Sequence, residues 1–305
     1  MIRLSNAVNK KRLVWNTTDP NPCLWGGVIC SSTDTFVTHI TLSKSIDVSV
    51  NSLSSIPSEF ISSCGKLDGL KMLNFSQNKL SGVLPNFNGF SGLESLDLSM
   101  NSLMGNIHVQ LDGLVGMKSL NLSSNLFVGF VPIHFGHFKV LEKLQLSKNH
   151  FQGPIPDELF GYQNLTFVDL SGNRISGVLS DSVGSLSKLD TLLLSDNNIS
   201  GMIPRGISQY VQSLDLSNNN LVGSIPVDLL SASNLQSHSI CALGKLLRLI
   251  FLELGNNSLS GEIPEALGNY VELALLDLSH NGFYGSLPKE LGNLRQLQVM
   301  KLQSN

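Results

Sequence analysis

Hydrophobic positions recur along most of this chain in one fixed frame. From Leu93 it reads LESLDLSMNSLMGNI. The frame returns as LEKLQLSKNHFQGPIP from Leu141, LTFVDLSGNRISGVLS from Leu165, LDTLLLSDNNISGMIP from Leu189 and VQSLDLSNNNLVGSIP from Val211. Within L-x-x-L-x-L the last two leucines alternate with polar residues, which predicts a short strand with one buried face. A coil this small cannot bury its own leucines, so stacked coils must bury them in one continuous column.

Asparagine closes each frame, at Asn78, Asn101, Asn125, Asn149, Asn173, Asn197, Asn219, Asn257, Asn281 and Asn305. Most neighbours in that series are 24 residues apart, and two pairs are 23 and 22 apart. The asparagine is expected to turn the chain out of the strand, its amide satisfying backbone groups inside the turn. A glycine follows at Gly82, Gly105, Gly129, Gly153, Gly177, Gly201, Gly223, Gly261 and Gly285. Eight of the 11 prolines then share one slot: Pro57, Pro85, Pro132, Pro156, Pro204, Pro226, Pro264 and Pro288. Glycine and proline shape the return path. All these residues are assigned to the scaffold.

One interval breaks the period: Asn219 and Asn257 are 38 apart. Leu235, Ile240 and Leu243 still fit the frame, and ALGKLLRLIFLELGNN from Ala242 approaches the next strand. The interval therefore reads as two coils, one shortened near residues 235–248, with about ten residues missing between Ile240 and Leu246. The repeats then span residues 37–305 in about 12 coils, after a cap at residues 1–36.

Composition narrows the function. The 305 residues carry only 14% charged side chains and a net charge of −3; leucine fills the difference, with 54 copies. A near-neutral, slightly acidic chain lacks the basic stripe that nucleic acid requires. No apolar run reaches the ~18 residues of a membrane span, and MIRLSNAVNKKRLVW lacks the apolar core of a signal peptide. No phosphate-binding glycine loop, catalytic-loop H-R-D, D-F-G or G-x-S-x-G occurs, so no enzyme activity, cofactor or metal is expected of the chain. His134 and His137 form an H-x-x-H without a third ligand and read as a solvated pair.

The pattern LxxLxLSxNxLxGxIP resembles the plant-type leucine-rich repeat of extracellular receptors, over residues 37–305. Upstream, LVWNTTDPNPCLWGGVIC resembles the N-terminal cap of that family, matching it at Trp15, Trp25, Cys23 and Cys30. The resemblance implies a right-handed, horseshoe-like solenoid with a parallel sheet on its concave face and 3-10 or helical turns on its convex side. It also implies a Cys23–Cys30 disulfide. Residues 1–12 stand where the family carries a helix and a signal peptide, and no C-terminal cap follows Leu302. The chain thus reads as a truncated ectodomain whose membrane anchor would lie in a segment it lacks. Six N-x-[ST] sequons, at Asn16, Asn74, Asn121, Asn164, Asn198 and Asn256, agree with an extracellular setting. Cys64 and Cys241, about eight coils apart, are too far apart to pair and read as small buried hydrophobes.

With the frame committed to structure, recognition falls to the variable strand positions. The central one runs Asn74, Asp97, Asn121, Gln145, Asp169, Leu193, Asp215, Glu253, Asp277 and Lys301, an acidic lane interrupted in its middle. Phe167 and Leu193 are apolar where other coils are polar, and Lys143, Gln145, Thr166 and Thr191 accompany them. On neighbouring strands they would sit ~4.8 Å apart and form one apolar spot. The resemblance implies an extracellular recognition domain of a receptor-like kinase or receptor-like protein. Its partners would be a peptide, a small hormone or a co-receptor ectodomain. A polygalacturonase-inhibitor-like protein, and a truncated product without function, are the alternatives.

Overall fold

Each frame becomes one coil, with a strand at its leucines and a second strand just past its asparagine. The computed structural model describes residues 45–226 and 248–305, except 66, 68, 108, 133–137 and 208–209. Upstream it describes two antiparallel pairs, Ile2–Leu4 with Leu13–Trp15 and Val28–Cys30 with Val37–Ile40. The chain divides into two units, Met1–Asn149 and His150–Asn305. Cys23, and with it the expected pairing to Cys30, lies outside the described residues, as do Asn16, Cys241, His134 and His137.

In the first unit the leucine strands are Ser45–Asp47, Met72–Asn74, Ser95–Asp97, Ser119–Asn121 and Lys143–Gln145, all parallel. In the second they are Phe167–Asp169, Thr191–Leu193, Ser213–Asp215, Phe251–Glu253, Leu275–Asp277 and Val299–Lys301. Register never slips, because a one-residue shift would turn every leucine to solvent. Ile46, Leu73, Leu96, Leu120 and Leu144 therefore align in one buried row, and Val168, Leu192, Leu214, Leu252 and Leu276 in another. These are the leucine sheets. The strands after the asparagines pair likewise into glycine sheets, from Ser81–Val83 to Leu126–Phe130 in the first unit and from His150–Gly153 to Gly282–Tyr284 in the second. The return path is short. Prolines 156, 264 and 288 lead into 3-10 turns Asp157–Gly161, Glu265–Asn269 and Lys289–Asn293. Where the coil lacks proline, Ser180 caps Asp181–Ser185, its Oγ accepting from the Ser182 N–H at 3.2 Å.

The asparagine ladder holds coil to coil. Asn125 donates through Nδ2 to the carbonyls of Leu98, Leu122 and Ser123, at 2.9, 3.1 and 3.3 Å. Its Oδ1 accepts from the Leu103 N–H at 3.0 Å. Asn197 does the same with Leu170, Leu194, Ser195 and Ile175. The residue before each asparagine is left-handed, for example Met100 at φ 55° and Lys148 at φ 54°.

This ladder corrects the reading of the 38-residue interval. Strand Ser213–Asp215 pairs directly with Phe251–Glu253, Leu214 facing Leu252. Asn257 donates to the Leu216 carbonyl at 3.0 Å and accepts from the Leu221 N–H at 3.0 Å, as a frame asparagine does one coil on. No place remains for a strand between them. The two frames 38 residues apart are therefore direct neighbours in the leucine sheet, and residues 227–247, where most of a shortened second coil was expected, lie outside the described residues. Five and six leucine strands make 11 among the described residues, and the strand expected near 235–248 is the one lost from the count of 12.

Candidate functional site

The exposed faces of the leucine sheets carry the only side chains there that the frame does not commit. Even so, part of the acidic lane is structural. Asp97, Asp169, Asp215 and Asp277 each accept from the backbone N–H and the hydroxyl of the serine two residues on, with Oγ–Oδ1 distances of 2.6, 2.6, 2.7 and 2.6 Å. These contacts replace water for carboxylates next to a buried strand. Asn121 is held the same way by Ser123, at 2.7 Å from its hydroxyl, and donates to Asp97 Oδ2 at 3.3 Å. Asn74 accepts from the Ser76 N–H at 3.0 Å. The sequons at Asn74 and Asn121 therefore lie half-buried on the leucine sheet, with amides already engaged.

The other sequons lie elsewhere. Asn198 and Asn256 are exposed, and Asn256 Nδ2 donates to Asn218 Oδ1 at 2.8 Å. Half-buried Asn164 accepts from Lys188 at 2.8 Å. Cys64 is buried and its thiol is pushed up by that burial to about 12, which makes it unreactive.

Of the predicted contact residues, Lys143 and Gln145 lie on the last leucine strand of the first unit, and Thr166, Phe167, Thr191 and Leu193 on the first two coils of the second. Within the second unit Phe167 faces Thr191, and Leu193 stands between Asp169 and Asp215. The expected single apolar spot is therefore not formed across one register row. Phe167 and Leu193 are diagonal neighbours, roughly 7–8 Å apart in such a sheet, and both are half-buried.

A different apolar row was not foreseen. Phe251, Leu275 and Val299 face one another in register across three strands. Phe251 and Val299 are 41% and 40% exposed, well above what core leucines allow. Two residues along the same strands run Asp215, Glu253, Asp277 and Lys301. The signal was present in the sequence, at the second x of L-x-x-L-x-L rather than the third.

Glu253 is unlike its neighbours. Gly255 stands where most other coils have serine, so the Glu253 carboxylate accepts no hydrogen bond among the described residues. A Cβ at Gly255 would come within 2.8 Å of Asp277 Oδ1, so glycine there admits the close approach of that carboxylate. Partial burial pushes the Glu253 carboxyl above its usual range, and the charge of Asp215 pushes it further; the pull of Lys301 opposes this and exceeds the weaker push of Asp277. Burial also pushes Asp277 up, but Ser279 and Lys301, the latter at 3.0 Å, more than offset this and hold it below its usual value.

The first unit presents another arrangement. Lys71, Glu94 and Lys118 form a line, with Glu94 Oε1 3.1 Å from Lys71 and Oε2 2.8 Å from Lys118. The hydrogen bond from Lys118, then that from Lys71, holds the Glu94 carboxyl below its ordinary range. Among the described residues no group of three His, Cys, Asp or Glu could hold a metal ion, and no helix is long and apolar enough to cross a membrane.

The family model described as "Leucine rich repeat" matches residues 163–221, and that described as "Leucine Rich Repeat" matches residues 140–162, 248–270 and 272–294. Pollen receptor-like kinase 1 of Arabidopsis thaliana is 33% identical over 96 residues, which is 30% of this chain and 12% of that protein. Among solved structures, a TDR receptor is 34% identical with a TM-score of 0.76, over 86% of this chain and 43% of the other. The ectodomain of the Arabidopsis receptor kinase HAESA, solved with an IDA peptide hormone ligand, is 30% identical with a TM-score of 0.66, over 84% and 44% of the two chains. The chain thus spans a small part of that curated relative and under half of these two receptor structures.

Proposed function

This chain is a leucine-rich repeat solenoid similar to the ectodomains of plant receptor kinases, and on that premise we propose that it is a non-catalytic, extracellular recognition module. Its ligand is a peptide, bound on the exposed face of the leucine sheet of the second unit. One observation carries the reading. On that face Asp169, Asp215 and Asp277 are occupied by their own serines, while Phe251, Val299 and Glu253 are left unengaged. Side chains exposed and unpaired on a rigid sheet lose little freedom when a ligand arrives. The receptor likeness points the same way, since a peptide hormone occupies the HAESA structure. A small hormone or a co-receptor ectodomain is a further class of partner for the same face.

The test is a displayed random peptide library selected on the immobilised 305-residue chain, followed by hydrogen exchange on the complex. Protection of leucine-sheet strands between Phe167 and Lys301 supports recognition there. Selection of no binder, or protection confined to the glycine sheets, refutes it.

A further inference from the structure

The recognition face of the second unit has two chemically distinct edges. Phe251, Leu275 and Val299 make an apolar row, and Asp215, Glu253 and Asp277 an acidic one. Along each strand the two rows are two residues apart, ~6.6 Å. Across the sheet each step is ~4.8 Å, so four strands cover ~14 Å. An extended peptide lying across the strands between the rows sends alternate side chains to its two sides. Three side chains on one side, at i, i+2 and i+4, also cover ~14 Å. Five extended residues therefore match the width of the four strands, while each three-residue row, spanning two steps, covers ~9.6 Å of that width.

Resting on the recognition function proposed above, we propose that strands Ser213–Asp215, Phe251–Glu253, Leu275–Asp277 and Val299–Lys301 bind a short extended peptide whose side chains alternate basic and apolar. Charge complementarity selects the basic side. Three carboxylates face one ammonium, that of Lys301, and it already pairs with Asp277 at 3.0 Å. The Glu253 carboxylate accepts no hydrogen bond among the described residues, and its charge is opposed by Asp215 and Asp277 and only partly balanced by Lys301, so an incoming lysine or arginine supplies the cation it lacks. Lys301 bounds the acidic row and repels a further cation beyond it. On the other side, Phe251 and Val299 are exposed enough to be covered by an apolar side chain and flat enough, being on a sheet, to be covered by more than one.

The probe is the synthetic peptide Ac-Lys-Leu-Lys-Leu-Lys-NH2, titrated calorimetrically into the full chain. Two controls accompany it, Ac-Lys-Lys-Lys-Leu-Leu-NH2, with the same composition but no alternation, and Ac-Glu-Leu-Glu-Leu-Glu-NH2. The alternating basic peptide is expected to bind, the block isomer about fivefold or more weakly, and the acidic peptide not at all. Phe251→Ser and Glu253→Gln are each expected to weaken the alternating peptide by about fivefold or more, with circular dichroism confirming the fold. Equal affinity for the alternating and block peptides, or for spermidine, would reduce the site to bare charge and overturn the proposal. So would unchanged binding in both variants, and so would no binding of the alternating peptide. Because the peptide controls need no change to the protein, a variant that fails to fold leaves the question decidable. If library-selected peptides bind this sheet and are lost with Leu193→Glu but kept with Phe251→Ser, recognition stands and this inference falls. If no peptide of any kind binds, both fall.

Discussion

Glu94 in the first unit, just before a leucine strand, and Glu253 in the second, at the end of one, meet opposite surroundings. Glu94 lies between two lysines and is held ionised by both. Glu253 lies between two aspartates, without a hydrogen-bond partner among the described residues, and its ionisation is opposed. The coils beneath are the same: buried leucines in register, a frame asparagine, a left-handed residue before it and a glycine after it. Evidently the scaffold and the surface chemistry are set by separate residues. The first unit pairs Glu94 with two lysines, whereas the second pairs Asp277 with Lys301 and leaves the Glu253 carboxylate without a hydrogen bond among the described residues.

If the scaffold is common, frame substitutions must act alike in both units. Asn125→Ala strands the Leu103 N–H and removes one of two donors from the carbonyls of Leu98, Leu122 and Ser123, and Asn197→Ala does the same to the Ile175 N–H and the carbonyls of Leu170, Leu194 and Ser195. Each is expected to destabilise by about 2–3 kcal/mol in urea titration, from one buried N–H left unpaired and three carbonyls left with a single donor. A difference between the two above about 1 kcal/mol would break the equivalence of the units. Asn257→Ala should be as damaging and adds a sharper readout. The Leu221 N–H donates to Asn257 Oδ1, so its exchange should quicken about tenfold or more in that variant. Unchanged exchange at Leu221 would restore a coil between Asn219 and Asn257.

Glycine substitutions come next in size. Gly105 and Gly201 have φ of +89° and +82°, and an added Cβ would lie 2.9 Å from Val83 Cγ1 and 2.8 Å from Val178 Cγ1. The residue after each glycine thus packs over the next coil's glycine. Gly105→Ala and Gly201→Ala are each expected to destabilise by roughly 1–2 kcal/mol, from backbone strain and crowding together. Adding Val83→Ala or Val178→Ala should recover only the crowding share. Full recovery, measured by the thermal midpoint, would show that the left-handed backbone is not strained.

Much of this was legible beforehand. Strand positions, buried leucines and the turn role of the asparagines all follow from spacing, because a stacked coil repeats its environment. What spacing could not show was which coils stack. Leu235, Ile240 and Leu243 imitate the frame in sequence, and only the bonds of Asn257 to Leu216 and Leu221 reveal that the strands of residues 213–215 and 251–253 are direct neighbours. The left-handed residue was hidden because Met100, Gln77 and Lys148 occupy it as well as Gly172. The spacing directs the contact site to the central coils, around Phe167 and Leu193, which are apolar where neighbouring coils are polar. Phe251, Leu275 and Val299 become a row only when read across strands, at a position where Ser95, Ser119 and Ser213 make the column look polar.

The smallest effects decide the opening comparison most directly, since they have opposite signs. The Glu94 carboxyl is held below its ordinary value of 4.5, so the folded chain binds its proton less tightly than the unfolded one. Its contribution to stability is present above 4.5 and is lost as pH falls through the depressed value. Glu94→Gln should therefore lower the thermal midpoint at pH 7, with the gap to the native chain closing in acid. Glu253 is raised above 4.5, so the folded chain holds this proton more tightly. Stability is then lost as pH rises from 4.5 through the raised value. Glu253→Gln should raise the midpoint at pH 7, and that gain should vanish in acid. Both are partly solvated sites, so shifts of a degree or two are expected, shrinking at 1 M salt. Scanning calorimetry of the two variants between pH 3 and 8 makes the comparison. Two curves of the same sign would mean that the carboxylates of the second unit are as well satisfied as those of the first. Glu253 would then have no electrostatic reason to take up a cation.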